Sequence, residues 1–77
     1  MAKENDLKQL LATAAAANRK LVTDSQLDRA AQELVKKAHV TREDVDLISE
    51  SVTRDKQTFA VVDIDDINDV LARGGKG

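Results

Sequence analysis

Several kinds of residue are missing or scarce in this 77-residue chain, and each absence excludes a class of structure. There is no cysteine and no proline, and the three glycines all lie within the last four positions. Without cysteine the chain forms neither a disulfide nor a thiolate zinc site, which is compatible with a reducing compartment. Residues 1–73 contain neither of the two residues that most readily interrupt a helix or make a tight hairpin turn. Their composition therefore favours an all-α fold.

Long hydrophobic runs are also missing. No stretch of about 18 apolar residues is present that could span a membrane, and residues 1–6 lack the apolar region of a secretory signal. We therefore expect no membrane contact and a cytoplasmic location. A chain of this length makes one small domain. We assign that domain to residues 1–73 and expect the Gly-rich residues 74–77 to be a flexible tail.

A short pattern that is typical of helix starts occurs three times, at residues 22–27, 40–45 and 62–67. Each copy has an apolar residue, a Thr or Asp, two variable residues, a Gln or Asp, and a second apolar residue. The Thr or Asp side chain can accept a hydrogen bond from a free N–H of the first helical turn, and the residue three positions on can reach back. The pattern predicts helix caps at Thr23, Thr41 and Asp63.

Apolar residues recur with a helical period after each of these starts. They predict a small bundle of three longer helices, at about residues 5–20, 24–38 and 41–52, and one short C-terminal helix at about 64–73. The second helix has to end near His39 without a glycine. Because His tolerates a left-handed backbone better than most residues, His39 is predicted to cap that helix. Residues 59–62, Phe-Ala-Val-Val, have strand propensity and predict a short extended stretch over the core.

Charge is distributed unevenly along the chain. Residues 1–40 carry seven Lys or Arg and five Asp or Glu, whereas residues 41–69 carry three and nine. Helix dipoles account for part of this, because acids favour first turns and bases favour last turns. The functional alternative is an acidic face that docks on a basic partner. This predicts a small regulatory or adaptor module that binds a protein partner through Glu43, Asp46, Glu50, Asp65 and Asp69.

A helix–turn–helix DNA-binding regulator is one alternative. Five apolar residues between positions 34 and 48 fit the spacing of that motif, and Arg42 would be its DNA-binding base. However, residues 42–50 carry four carboxylates beside that single base. DNA binding depends largely on the neutralisation of phosphates by Lys and Arg. We therefore do not expect nucleic acid to be the partner.

A self-assembling structural subunit is the other alternative. Leu7, Leu10, Leu11 and Leu21 lie along one stripe of the predicted first helix, with alanines between them. A chain this small covers only part of its apolar surface by folding. Association would bury more of it, and this favours a homodimer through the first helix.

The chain lacks a recognisable catalytic or metal-binding constellation. His39 is the only histidine, so no second histidine is available to activate a serine. The aspartates of residues 63–69 do not follow the EF-hand spacing, because the sixth position of a loop that begins at Asp63 is Asn68 and the twelfth is Gly74. We expect no enzymatic activity, no cofactor and no bound metal.

The order of the elements is similar to that of a known regulatory region. A helix, a cap at residues 21–23, a second helix, a second cap, a third helix and Val61-Val62-Asp63 follow one another. This layout resembles the acidic N-terminal region 1.1 of primary bacterial sigma factors over about residues 7–63. The resemblance implies an acidic module that occupies a nucleic-acid channel of RNA polymerase, and it assigns no role to any single residue.

Overall fold

The computed structural model describes residues 2–73, and within them it contains four helices and no strand. They are α1 (Ala2–Ala17), α2 (Asp24–Val35), α3 (Arg42–Thr53) and the shorter α4 (Ile64–Arg73). The all-α fold class predicted from the sequence is confirmed, with three longer helices and a short C-terminal one. The predicted tail, residues 74–77, lies outside the described residues.

The helix starts lie where the repeated pattern predicts them. Thr23 accepts a hydrogen bond from the Gln26 N–H at 3.1 Å, and the Gln26 side chain accepts one from the Thr23 N–H at 2.9 Å. Thr41 and Asp44 form the same reciprocal pair at 3.2 and 3.0 Å. Each pair satisfies two backbone donors that the first turn of a helix would otherwise leave free.

The start of α4 is simpler. The Asp63 carboxylate accepts from the Asp65 N–H at 2.9 Å. Asp66, the residue three positions on, makes no reciprocal bond to the Asp63 N–H, so its carboxylate is not used in capping.

Two helices end at arginines in a left-handed conformation rather than at glycines. Arg19 has a φ of 59°. The Arg19 N–H donates to the Ala16 carbonyl at 3.0 Å, and the Lys20 N–H donates to the Ala15 carbonyl at 2.9 Å. This is the bond pattern of a Schellman motif, and it ends α1 at Ala17, three residues before the predicted end. Arg54, with a φ of 64°, ends α3 after Thr53.

The predicted end of α2 was wrong, and so was the cap at His39. The helix ends at Val35, three residues early, and Lys36 is its cap in an ordinary right-handed conformation. The only non-glycine residues with positive φ among those described are Arg19 and Arg54. His39 is exposed in the loop between α2 and α3.

The core forms where α1 packs on α2, α2 on α3, and α1 on α4. Leu7 and Leu11 of α1 are fully buried, as is Leu34 of α2. Phe59, the single aromatic side chain, is also fully buried and fills the centre from the segment between α3 and α4. The hydrophobic residues of one face of each helix therefore supply the core, as their period predicts.

The extended stretch predicted at residues 59–62 is wrong, because the structure folds residues 56–62 into turns. Three backbone bonds of the i to i+3 type, at Thr58, Ala60 and Val62, fold this segment into consecutive turns. Strand propensity is weak without a neighbouring strand to pair with, and side chains from elsewhere in the chain bind carbonyls of this segment instead. The Asn18 amide donates to the carbonyls of Gln57 and Thr58.

The loop before α3 is fastened to α4 by one side chain. The Asn68 amide accepts from the Val40 N–H at 2.7 Å and donates to the Val40 carbonyl at 2.8 Å. Val40 itself is fully buried. Asn68 therefore pairs with Val40 as a neighbouring strand would, and it sets how the α2–α3 loop meets α4.

Candidate protein-interaction surface

Helix α3 has one buried face and one acidic face. Val45 and Ile48 point into the core together with Ser49. On the opposite side lie Glu43, Leu47 and Glu50, at positions i, i+4 and i+7, which are neighbours along one side of a helix. We call these three residues, together with the half-buried Asp46 on their flank, the α3 face.

Leu47 stands at the centre of the α3 face, and 57% of its surface is exposed. It is one of three large hydrophobic side chains that the described part of the chain leaves exposed. Beside it a shallow cavity of about 170 Å³ separates α3 from α2. The face therefore combines carboxylates with an apolar side chain that the fold does not use.

Arg42, the one base within α3, is turned away from this face. Its guanidinium donates to the Val62 carbonyl at 2.7 Å and to the Phe59 carbonyl at 3.3 Å. These bonds hold the turn segment of residues 56–62 against the start of α3. Arg42 thus serves the fold and does not neutralise the acids of the helix that carries it.

Few other bases approach the α3 face. Lys56 lies 3.6 Å from Glu50, and both side chains are at least half exposed, a setting in which an ion pair contributes little. Glu43 and Asp46 form no ion pair with any base of residues 2–73. The face is therefore negatively charged at neutral pH.

Asp44 differs from these acids because it belongs to the helix cap. Hydrogen bonds from the Thr41 backbone and hydroxyl, with the positive charge of Lys37 3.8 Å away, hold the pKa of the Asp44 carboxyl below its usual value. Its carboxylate binds the Thr41 N–H and hydroxyl, and the side chain is half-buried. Asp44 is part of the scaffold that supports the α3 face.

Asp65 and Asp69, the other two predicted partner-binding residues, lie on α4. This helix packs on α1, whereas α3 packs on α2. Asp69 forms an ion pair with Arg73 of the same helix at 2.9 Å, while Asp65 is exposed and forms none with residues 2–73. The five predicted residues therefore divide into a set on α3 and a pair on α4.

The geometry gives the helix–turn–helix alternative less support than the sequence spacing did. Because α2 ends at Val35, six residues separate it from α3, and Ala38 is exposed in the loop instead of packed between the helices. Arg42, the base assigned to DNA, already binds two carbonyls. The exposed side of α3 offers carboxylates where phosphates would approach.

The apolar stripe that suggested a homodimer is largely used within the chain. Leu7 and Leu11 are fully buried in the core, and Leu10 packs against it. Leu21 is the exception, since it lies fully exposed in the loop after α1. Of this stripe, only Leu21 and part of Leu10 remain available to a second copy.

No three His, Asp or Glu side chains among residues 2–73 come together as metal ligands would. None of the four helices is both long enough and apolar enough to cross a bilayer, as far as residues 2–73 are concerned. Leu47 is a candidate that sequence patterns did not single out, although the helical period places it between Glu43 and Glu50. The engagement of Arg42 by distant carbonyls had no signal in the sequence.

Comparison with family models, with curated proteins and with solved structures finds no match to this chain. The similarity of layout to region 1.1 of sigma factors therefore stays a prediction. The residues themselves carry the functional interpretation.

Proposed function

We propose that this chain is a small, non-enzymatic protein-interaction module, regulatory or adaptor in role, that docks on a basic partner protein through the α3 face. The position of Arg42 is the observation that carries the proposal. Because its guanidinium binds the carbonyls of Phe59 and Val62, the carboxylates of Glu43 and Asp46 lack an internal counter-charge among the described residues. A basic partner supplies that charge.

Leu47 gives the α3 face an apolar centre with acids around it. Protein interfaces commonly combine a desolvated centre with a polar rim, and complementary charges at the rim mainly accelerate association. Leu47 would therefore provide contact area, while Glu43 and Glu50 steer the partner. Asp65 and Asp69 of α4 extend the acidic surface if the partner also reaches that helix. We propose the cytoplasm as the location, because a chain without cysteine suits a reducing compartment.

The experiment compares two neutralised variants as baits in an extract of the native host. Glu43→Gln/Asp46→Asn/Glu50→Gln removes the charges of the α3 face, and Asp65→Asn/Asp69→Asn removes those of the α4 pair. Both sets are on exposed or half-exposed positions, so both variants should fold, as circular dichroism would verify. We expect the unaltered chain to capture a protein that salt releases. The α3 variant should retain at least threefold less of this protein than the α4 variant. Equal capture by all three baits would contradict the proposal.

Duplex DNA provides the second arm of this test. We expect no binding to duplex DNA at physiological salt beyond the weakest non-specific level, because the α3 face would repel phosphates. Sequence-selective duplex binding would favour the helix–turn–helix function over docking on a protein. Arg42→Ala is unsuitable as its probe, since this change also releases the turn segment that Arg42 holds.

A further inference from the structure

A second surface, distinct from the α3 face, runs between α1 and α4. Residues of α1 at positions i, i+4, i+7 and i+11 form one wall, namely Asp6, Leu10, Thr13 and Ala17. The opposite wall is formed by α4 and the turn segment before it. Two cavities of about 260 Å³ each meet at Leu10 and Asp66, so the surface is one continuous groove. We call it the α1/α4 groove.

The floor of the groove is apolar and partly open to solvent between Leu10 and Ala17, whereas the half next to Asp6 is lined mainly by polar side chains. Val61 is 53% exposed, and Ala17 is exposed beside it. Leu10 is only half buried, although it packs against the core. Val62 and Ala14 lie buried beneath them and complete the floor. The fold thus leaves an apolar strip uncovered along the outer side of α1.

The rim of the groove is acidic. Four carboxylates line it, from Asp6, Asp63, Asp66 and Asp69, and Arg73 is the single base. Arg73 is paired with Asp69, and the other three acids form no ion pair with residues 2–73. Helix dipoles explain Asp66 in the first turn of α4, but they do not explain Asp6 or Asp69, which lie beyond the first turns.

The length of the groove sets the size of its occupant. From Asp6 to Ala17 the wall rises through eleven residues of helix, which is about 17 Å or three helical turns. An amphipathic helix can lie in such a two-helix groove with its apolar residues on the floor at helical spacing. Its flanking side chains would then meet the carboxylates of the rim, and only Lys or Arg would be favourable there.

We propose that the α1/α4 groove binds a basic amphipathic helix of about three turns from a partner protein. Apolar side chains of that helix contact Leu10 and Val61, and its Lys or Arg side chains pair with Asp6, Asp63 and Asp66. An anionic ligand, such as an acidic peptide or a nucleic acid, is repelled by the same rim. This binding does not depend on the docking proposed for the α3 face.

A second copy of the chain does not offer such a helix. Among residues 2–73, the exposed large hydrophobic side chains are Leu21, Leu47 and Val61. Leu21 lies in a loop, Leu47 lies on the acidic α3 face, and Val61 belongs to the groove itself. No exposed helix face of the described chain is both basic and apolar, so the occupant has to come from another protein.

The probe for this proposal is a fluorescent peptide of about 14 residues, with Leu at positions i, i+4, i+7 and i+11 and Lys on the flanks. A peptide of the same composition in scrambled order is its control. We expect the amphipathic peptide to bind with a dissociation constant of about 10–100 µM in low salt, and the scrambled one to bind at least tenfold more weakly. NMR shift changes should concentrate at Leu10, Thr13, Val61 and Asp66.

Matched variants separate the groove from general acidity. Asp6→Asn/Asp66→Asn should weaken peptide binding by about threefold to tenfold, and Val61→Ser should weaken it by about threefold. Asp24→Asn/Glu33→Gln removes the same number of charges from α2, outside both the groove and the α3 face, and should change binding by less than twofold. Equal losses in the two double variants, or shift changes centred on α3, would overturn the proposal. It would also be overturned by the absence of binding up to about 1 mM peptide, or by self-association that covers the groove.

Discussion

The contact between Asn68 and Val40 allows a prediction whose size follows from the structure. Asn68→Ala would remove both partners of the fully buried Val40 backbone, whose N–H and carbonyl bond to the amide at 2.7 and 2.8 Å. A buried backbone group without a partner costs about 1–3 kcal/mol. Asn68 is only half buried, so water can partly replace it, and we expect a total loss of about 2–4 kcal/mol. A domain of this length has a stability of about 4–12 kcal/mol, so the loss is a large fraction.

Asn68→Asp makes the same prediction sharper. One carboxylate oxygen can still accept from the Val40 N–H, but the other then faces the Val40 carbonyl. Ionised Asp is an acceptor only, whereas protonated Asp can donate to that carbonyl. Since the hydrogen bond favours the neutral form, the pKa of the new carboxyl should be raised by folding. The deficit of Asn68→Asp relative to the unaltered chain should therefore shrink as pH falls from about 7 to about 4.

Urea unfolding followed by circular dichroism measures both variants, with the unaltered chain at the same pH as reference. The slope of the transition should stay constant, so that the shift in midpoint reports stability alone. An Asn68→Ala variant within about 0.5 kcal/mol of the unaltered chain would refute the assigned bonds. A deficit of Asn68→Asp that does not depend on pH would refute the proposed arrangement of its two oxygens.

Three further predictions concern a cap, an ion pair and the oligomeric state. Thr41→Ala should cost about 1 kcal/mol, whereas Ser51→Ala, an exposed hydroxyl in the same helix, should be nearly neutral in urea melts; equal costs would refute the cap. A hydrogen bond from Lys20, with one from the Gln57 N–H, lowers the pKa of Asp55. The Asp55 carboxylate therefore stabilises the fold above its unfolded pKa, and this contribution is lost as pH falls through the folded pKa. The stability gap between the unaltered chain and Asp55→Asn should accordingly close in acid melts below about pH 4. If a homodimer forms through α1, Leu21→Ser should shift the sedimenting mass towards the monomer without lowering stability, and a monomeric mass of the unaltered chain at all concentrations would exclude that dimer.

Helix starts could be predicted from this sequence because their determinants are local. Thr23 and Thr41 bond to partners only three residues away, so the spacing of residue types in the sequence is enough to predict these caps. Helix ends were less predictable, since Arg19 and Arg54 adopt a left-handed conformation that glycine usually marks. An arginine gives no such signal in a sequence. The predicted end of α1 was therefore late by three residues. The predicted end of α2 was late by the same number for another reason, because this helix stops at Lys36 in a right-handed conformation that no residue type marks.

The segment between α3 and α4 shows what local sequence does not contain. Strand propensity at residues 59–62 predicted an extended backbone, but donors from distant positions hold it in turns. Arg42 and Asn18 bind its carbonyls across 17 to 40 positions of sequence. Thr53, which lies just beyond the predicted third helix, is the last residue of α3 and bonds to the Thr58 hydroxyl at 2.8 Å. Such pairings depend on the tertiary fold.

The acidic surface could be predicted only in part, because the sequence shows its charges but not whether a base neutralises them. Charge counts along the chain identify residues 41–69 as acidic, and helical spacing places Glu43 and Glu50 on one side of α3. Whether a base neutralises them depends on where Arg42 points. That direction is set by carbonyls of the turn segment, and it decides between an acidic face and a mixed one.

Photo-crosslinking from position 47 tests the docking of the α3 face most directly. A photo-reactive amino acid replaces Leu47, which is 57% exposed at the centre of the face, and a second one replaces the exposed Ala72 of α4 as the control. In an extract of the native host, we predict a salt-sensitive crosslink from position 47 to a protein. Glu43→Gln/Glu50→Gln should reduce that crosslink, and position 72 should give a weaker one. A crosslink from position 47 to nucleic acid, or equal yields from the two positions, would contradict the docking of α3 on a protein.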